Sequence, residues 1–105
     1  MPDFEQINIE PAKEMLDKGD VAIVDIRDPE SYKAGHIERA VLVNDENIDS
    51  FLRNADKDKP LICYCYRGIS SQGAAQFFQQ NGFKNVYSID GGFEEWKTVY
   101  PSVSS

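Results

Sequence analysis

Two stretches of the chain, "VAIVDI" at 21–26 and "PLICYC" at 60–65, are nearly continuous apolar runs. That is the pattern of strands buried on both faces of a parallel sheet. "INI" at 7–9, "AVLV" at 40–43 and "NVYSI" at 85–89 predict three further strands. The segments between them read as helices with marked ends. Pro11 suits a first helical position, with Gly19 just past the last, and Asp28-Pro29 offers a cap followed by proline. A short helix is expected near 48–52. Ser70 or Ser71 can cap a helix running through Gln80 and ending at Asn81-Gly82, with Ala74, Phe77 and Phe78 as its buried stripe. A last helix is expected over 92–100, with Phe93 and Trp96 facing inward. Strands alternating with helices predict an α/β sandwich: a central five-stranded, mostly parallel sheet flanked by helices.

Composition narrows the function classes. At 105 residues the chain has the length of one domain, residues 1–105. Its 41% hydrophobic and 28% charged residues are ordinary globular usage. No apolar run approaches the roughly 20 residues needed to cross a bilayer, so no membrane association is expected. "MPDFEQINIE" carries acids where a secretory signal needs bases, which points to a reducing cytoplasm. The net charge of −7 opposes nucleic-acid binding. Cys63 and Cys65 are too few and too close to staple a fold. With the single His36 they also fall short of a four-ligand zinc site. Cysteine in this chain therefore means packing or reactivity.

The chemistry concentrates at Cys65. In α/β sheets the ligand crevice lies beyond the carboxyl ends of the strands, and Cys65 ends an apolar strand. Tyr66, Arg67, Gly68, Ile69 and Ser70 follow before a helix begins. Such a loop can turn successive backbone N–H groups inward, with Gly68 supplying a backbone conformation closed to other residues and the helix start adding positive potential. Cysteines so placed have pKa values lowered to roughly 3.5–7.5, so the thiolate forms without a partner histidine. The alternative is a small buried hydrophobe at a strand end. Cys63 lies within the strand and reads as packing. Arg67 is either a solvated loop charge or an anion clamp, and the coincidence of charge and cradle favours the clamp.

Three segments in order, "VDIRDPESYKAGHIERA" (24–40), "CYRGIS" (65–70) and "VYSIDGGFEEW" (86–96), resemble the motifs of the rhodanese family. The length and the third segment are most similar to its single-domain thiosulfate sulfurtransferases. The resemblance implies a rhodanese-like three-layer fold and a ping-pong sulfur transfer through a Cys65 persulfide. Thiosulfate is the implied donor, and cyanide or a thiol such as thioredoxin the acceptor. It further implies that the loop from Tyr66 through Arg67, Gly68, Ile69 and Ser70 to Ser71 holds the anion, with the Ser70 hydroxyl donating to sulfur. No metal and no organic cofactor are implied.

This loop departs from many relatives in having Tyr66 where a second basic residue is common. Asp25 and Arg27, two residues apart at a strand end, are expected to form a buried supporting pair. His36 is expected to be a loop or capping residue, and Asp90-Gly91-Gly92 a turn into the last helix. The rival readings are a persulfide carrier, an inactive rhodanese-like binding module, and a phosphatase or arsenate reductase. That last chemistry uses a cysteine loop with arginine six positions after the cysteine, where this chain has Ser71.

Overall fold

The computed structural model describes residues 4–104; residues 1–3 and 105, the ends of the expected domain, lie outside it. Its strands are β1 (Glu5–Ile7), β2 (Ala22–Asp25), β3 (Val41–Leu42), β4 (Leu61–Tyr64) and β5 (Val86–Ile89). They form one sheet in the order β1-β5-β4-β2-β3, and every pairing is parallel, not merely most of them. The crossovers carry α1 (Ile9–Lys18), α2 (Pro29–Ala34), α3 (Ile48–Asn54), α4 (Ser70–Gln80) and α5 (Gly92–Val99). The expected three-layer α/β arrangement is what forms.

β4 shows why its sequence is apolar throughout. Side chains alternate across a strand. Ile62 and Tyr64 enter a core with Ile9, Leu16, Phe93 and Trp96 on the α1 and α5 side. Leu61 and Cys63 enter a second core with Ala75, Phe78 and Phe83 on the α4 side. All four residues of β4 are fully buried, so neither face offers a solvent-facing position. The central strand is thus fixed by packing on both sides, and its carboxyl end delivers Cys65 to a defined place.

Four local expectations need correction. The first strand lies at 5–7 rather than 7–9, because Ile9 opens α1 and is buried in the first core. Pro11 is consequently the third helical residue, while Gly19 does end α1 in the left-handed region, its N–H donating to the Met15 carbonyl. In α4 the buried stripe is Ser71, Ala75 and Phe78; Phe77 is 42% exposed and Ala74 only partly covered. The proposed serine cap does not form either: Ile69 occupies the cap position and Ser70 is the first helical residue. The end of α4 at Gln80, the Asp28 cap of α2 and the inward Phe93 and Trp96 of α5 match the sequence reading.

Candidate active site

Cys65 follows the last residue of β4, and the backbone then wraps around its sulfur. The N–H groups of Gly68 and Ser71 both donate to Cys65 Sγ, each at 3.2 Å, and the Ser71 hydroxyl lies 3.5 Å from it. Two structural features force this geometry. Gly68 has φ +86, and a Cβ there would stand 2.9 Å from the Ile89 carbonyl and 3.0 Å from the Gly91 nitrogen. Only glycine fits. On the opposite side the first amides of α5 grip the loop: Phe93 N–H donates to the Cys65 carbonyl and Glu94 N–H to the Tyr66 carbonyl, both at 2.9 Å. With those carbonyls drawn toward α5, the planar peptide units must aim the following N–H groups the other way. Gly92 makes the approach possible, since a Cβ there would lie 2.6 Å from the Cys65 carbonyl oxygen. The Gly91-Gly92 pair therefore serves as a close-contact point as well as the expected turn.

The electrostatic outcome is a thiol of lowered pKa. Burial, with 3% of Cys65 exposed, pushes the thiol up; the Ser71 hydroxyl and the amides of Ser71, Arg67 and Gly68 outweigh it and bring the net value below that of an ordinary cysteine. Cys63 has only its own backbone N–H to oppose burial. It is fully buried, its sulfur faces the carbonyls of Ser71 (3.4 Å) and Tyr87 (3.5 Å), and burial pushes its thiol far up.

Asp25 and Arg27 close the end of β2 as a buried pair, 2.7 Å apart between carboxylate and guanidinium. The Arg27 Nε–H also donates to both carboxylate oxygens, its backbone N–H donates to Oδ1, and the Tyr64 hydroxyl donates to Oδ2 at 2.6 Å. A second guanidinium hydrogen bond reaches the Gly35 carbonyl at 2.6 Å. The guanidinium lies 4.3 Å from the centre of the Phe93 ring, on the helix that grips the loop. Neither side chain bonds the Cys65 sulfur among the described residues. Removing one member of such a pair leaves a buried charge and costs about 3–5 kcal/mol. His36 stacks on Tyr32 with ring centres 3.8 Å apart, and its Nδ1–H donates to the Tyr32 carbonyl.

The loop thus gathers Gly68 and Ser71 around the sulfur, with the Arg67 amide contributing, while the side chains of Tyr66, Arg67, Ile69 and Ser70 face outward. The hydroxyl at the sulfur belongs to Ser71, not Ser70: the first helical turn carries Ser71 inward and leaves Ser70 exposed. Sequence reasoning also missed three contacts. Ser88 in β5, fully buried, lies 2.7 Å from the Ser71 hydroxyl. The Phe93 and Glu94 amides hold the loop from behind. The Tyr66 hydroxyl ties the loop to the start of α2 through Asp28 and Ser31. Only the glycine pair at 91–92 offered a signal of these.

The Rhodanese-like domain family matches residues 8–99. Thiosulfate sulfurtransferase GlpE of Pseudoalteromonas translucida is 48% identical over 97 residues, 92% of this chain and 92% of that protein. The protein of the same name from Pseudomonas entomophila is 48% identical over 101 residues, 96% of this chain and 92% of its own. In fold, the rhodanese-related protein of Thermoplasma volcanium superposes with a TM-score of 0.83 at 23% identity, covering 97% of this chain and 100% of that one. With a match across most of its length and relatives near half identical, this chain belongs to the rhodanese family.

Proposed function

We propose that the protein is a thiosulfate sulfurtransferase whose nucleophile is Cys65. The observation that carries this reading is the Cys65 sulfur accepting two backbone N–H groups at 3.2 Å in a loop that α5 holds in place. The names of relatives at 48% identity agree with it. The thiolate attacks the outer sulfur of thiosulfate; the sulfur–sulfur bond breaks, sulfite departs with its electron pair, and a Cys65 persulfide is left. Cyanide or a thiolate then attacks the outer persulfide sulfur, taking it and returning Cys65 to the thiolate. Splitting one transfer into two displacements gives ping-pong kinetics.

Each half-reaction begins and ends with negative charge on sulfur at the bottom of the loop. Fixed N–H donors serve both halves without reorganising. Arg67, exposed at the loop's edge, supplies a side-chain cation for an incoming dianion. Tyr66, Ile69 and Ser70 shape that edge, and the Asp25–Arg27 pair supports it from beneath. Thioredoxin, among protein thiols, is a candidate acceptor. The reducing cytoplasm suits a chain whose two cysteines are both free.

A cysteine-loop phosphatase is a poorer fit. Six positions after Cys65 the chain has Ser71, and its side chain is already committed to the sulfur and to Ser88. Intact mass spectrometry tests the reading directly. Thiosulfate treatment should add one sulfur atom to the protein, cyanide should remove it, and Cys65→Ser should add none; an unmodified wild-type protein would refute the assignment.

A further inference from the structure

Behind the active loop two buried hydroxyls form a chain that ends at sulfur. Ser88 Oγ lies 2.7 Å from Ser71 Oγ, and Ser71 Oγ lies 3.5 Å from Cys65 Sγ. Both serines are fully buried, and among the described residues the only hydrogen-bond partner of the Ser88 hydroxyl is Ser71. We propose that Ser88 is a positioning residue that aims the Ser71 hydroxyl at the Cys65 sulfur and so favours its charged form. This rests on Cys65 being the nucleophile, as argued above.

Each hydroxyl has one hydrogen to give, and this fixes the direction of the chain. With a thiolate at its end, Ser88 O–H donates to Ser71 Oγ and Ser71 O–H donates to sulfur, so both hydrogens are used. With a neutral thiol, S–H donates to Ser71 Oγ and Ser71 O–H turns to Ser88. Three hydrogens then share the same two contacts, and one of them is left without an acceptor among the described residues. An unsatisfied buried donor carries the full desolvation penalty, so the arrangement favours the ion.

The titratable and charged groups around the sulfur leave this role open to the hydroxyls. Cys63 on β4 is kept neutral by burial. The Arg67 guanidinium faces outward, the Asp25 and Arg27 side chains bond each other at the end of β2, and Asp90 follows β5 beside Gly68. None of these side chains hydrogen-bonds to Cys65 Sγ among the described residues. Among the described residues Ser71 is the only side chain that does, and Ser88 is the only side chain besides Cys65 that bonds the Ser71 hydroxyl.

The test is a thiolate titration of Cys65, by ultraviolet absorbance and by alkylation rate against pH, in a Cys63→Ser background. Ser71→Ala, Ser88→Ala and the double variant are compared with the parent, each checked for folding by circular dichroism. Ser88→Ala is expected to move the thiolate midpoint upward and to slow alkylation at neutral pH by roughly two- to fivefold. The double variant should match Ser71→Ala alone, because Ser88 acts only through Ser71. An unmoved midpoint in Ser88→Ala, or shifts that add in the double variant, would overturn the proposal. If Ser88→Ala fails to fold, the similarly sized pair Ser88→Thr and Ser88→Val carries the comparison: threonine should hold the midpoint and valine should raise it. Should the parent itself titrate as an ordinary cysteine, the nucleophile assignment fails, which is a different result from an intact parent midpoint that Ser88→Ala leaves unmoved.

Discussion

Cys63 and Cys65 are separated by one residue, point to the same side of the sheet end, and are both nearly inaccessible, with 0% and 3% exposure. Their chemistry diverges because of what faces each sulfur. Cys63 faces carbonyl oxygens, and burial, reinforced by the neighbouring Cys65 charge, raises its pKa against only its own backbone N–H. Cys65 faces N–H and O–H donors, which overcome burial and lower it. Burial therefore does not make a thiol inert; burial without donors does. The cause of the divergence is the point where β4 ends. Within the strand, backbone N–H groups are committed to the neighbouring strands, whereas one residue beyond it the loop turns them onto the sulfur.

Serine substitution at each cysteine gives the largest contrast. Cys65→Ser should lower thiosulfate-to-cyanide turnover by about a thousandfold or more, the scale on which loss of a nucleophile acts. Cys63→Ser should keep most of it; equal losses in steady-state assays would erase the distinction between the two thiols. Gly92→Ala probes the cradle without touching either sulfur. Its Cβ would press on the Cys65 and Tyr66 carbonyl groups at 2.6 Å, so α5 and the loop must separate. Turnover should fall about tenfold or more, and denaturant unfolding should report a loss of about 1–3 kcal/mol. Wild-type kinetics in this variant would show that α5 does not hold the loop. Arg67→Ala is expected to raise the KM for thiosulfate about fivefold, with little change in the reaction of the persulfide with cyanide. An unchanged KM would remove Arg67 from the site.

The smallest expected effect is on stability against pH, where the two thiols act with opposite sign. The lowered pKa of Cys65 contributes stability that is present above the unfolded value near about 8.5 and lost as pH falls through the folded value. The raised pKa of Cys63 contributes stability that is present below about 8.5 and lost as pH rises toward its folded value. In denaturant unfolding the stability difference between wild type and Cys65→Ser should shrink as pH falls through the folded value, and that between wild type and Cys63→Ser should shrink as pH rises above about 8.5. The reverse assignment would contradict the environments described.

Much of the fold was legible because burial on both sheet faces writes itself as apolar runs, and "VAIVDI" and "PLICYC" mark β2 and β4. Glycine and the Asp28-Pro29 cap placed helix ends for the same reason: they act locally. What could not be read depended on partners distant in the chain. Ile7 and Ile9 alternate like a strand, but only the pairing of Ile7 with Ile89 shows where β1 stops. Ser70 and Ser71 look like cap residues, yet Ile69 takes the cap position, where its apolar side chain accepts nothing, and the Ser71 N–H that a cap there would bind goes to the Cys65 sulfur. Asp25 and Arg27 were legible as a pair by spacing alone, whereas Ser88, 17 positions from Ser71, looked like any polar residue in a weak strand.

The most direct test of the account is the thiolate titration of Cys65 alone, in Cys63→Ser protein, by ultraviolet absorbance as pH is varied. The midpoint should lie clearly below the ordinary cysteine value of about 8.5. A midpoint at or above that value would contradict the claim that the loop's inward donors hold the sulfur charged.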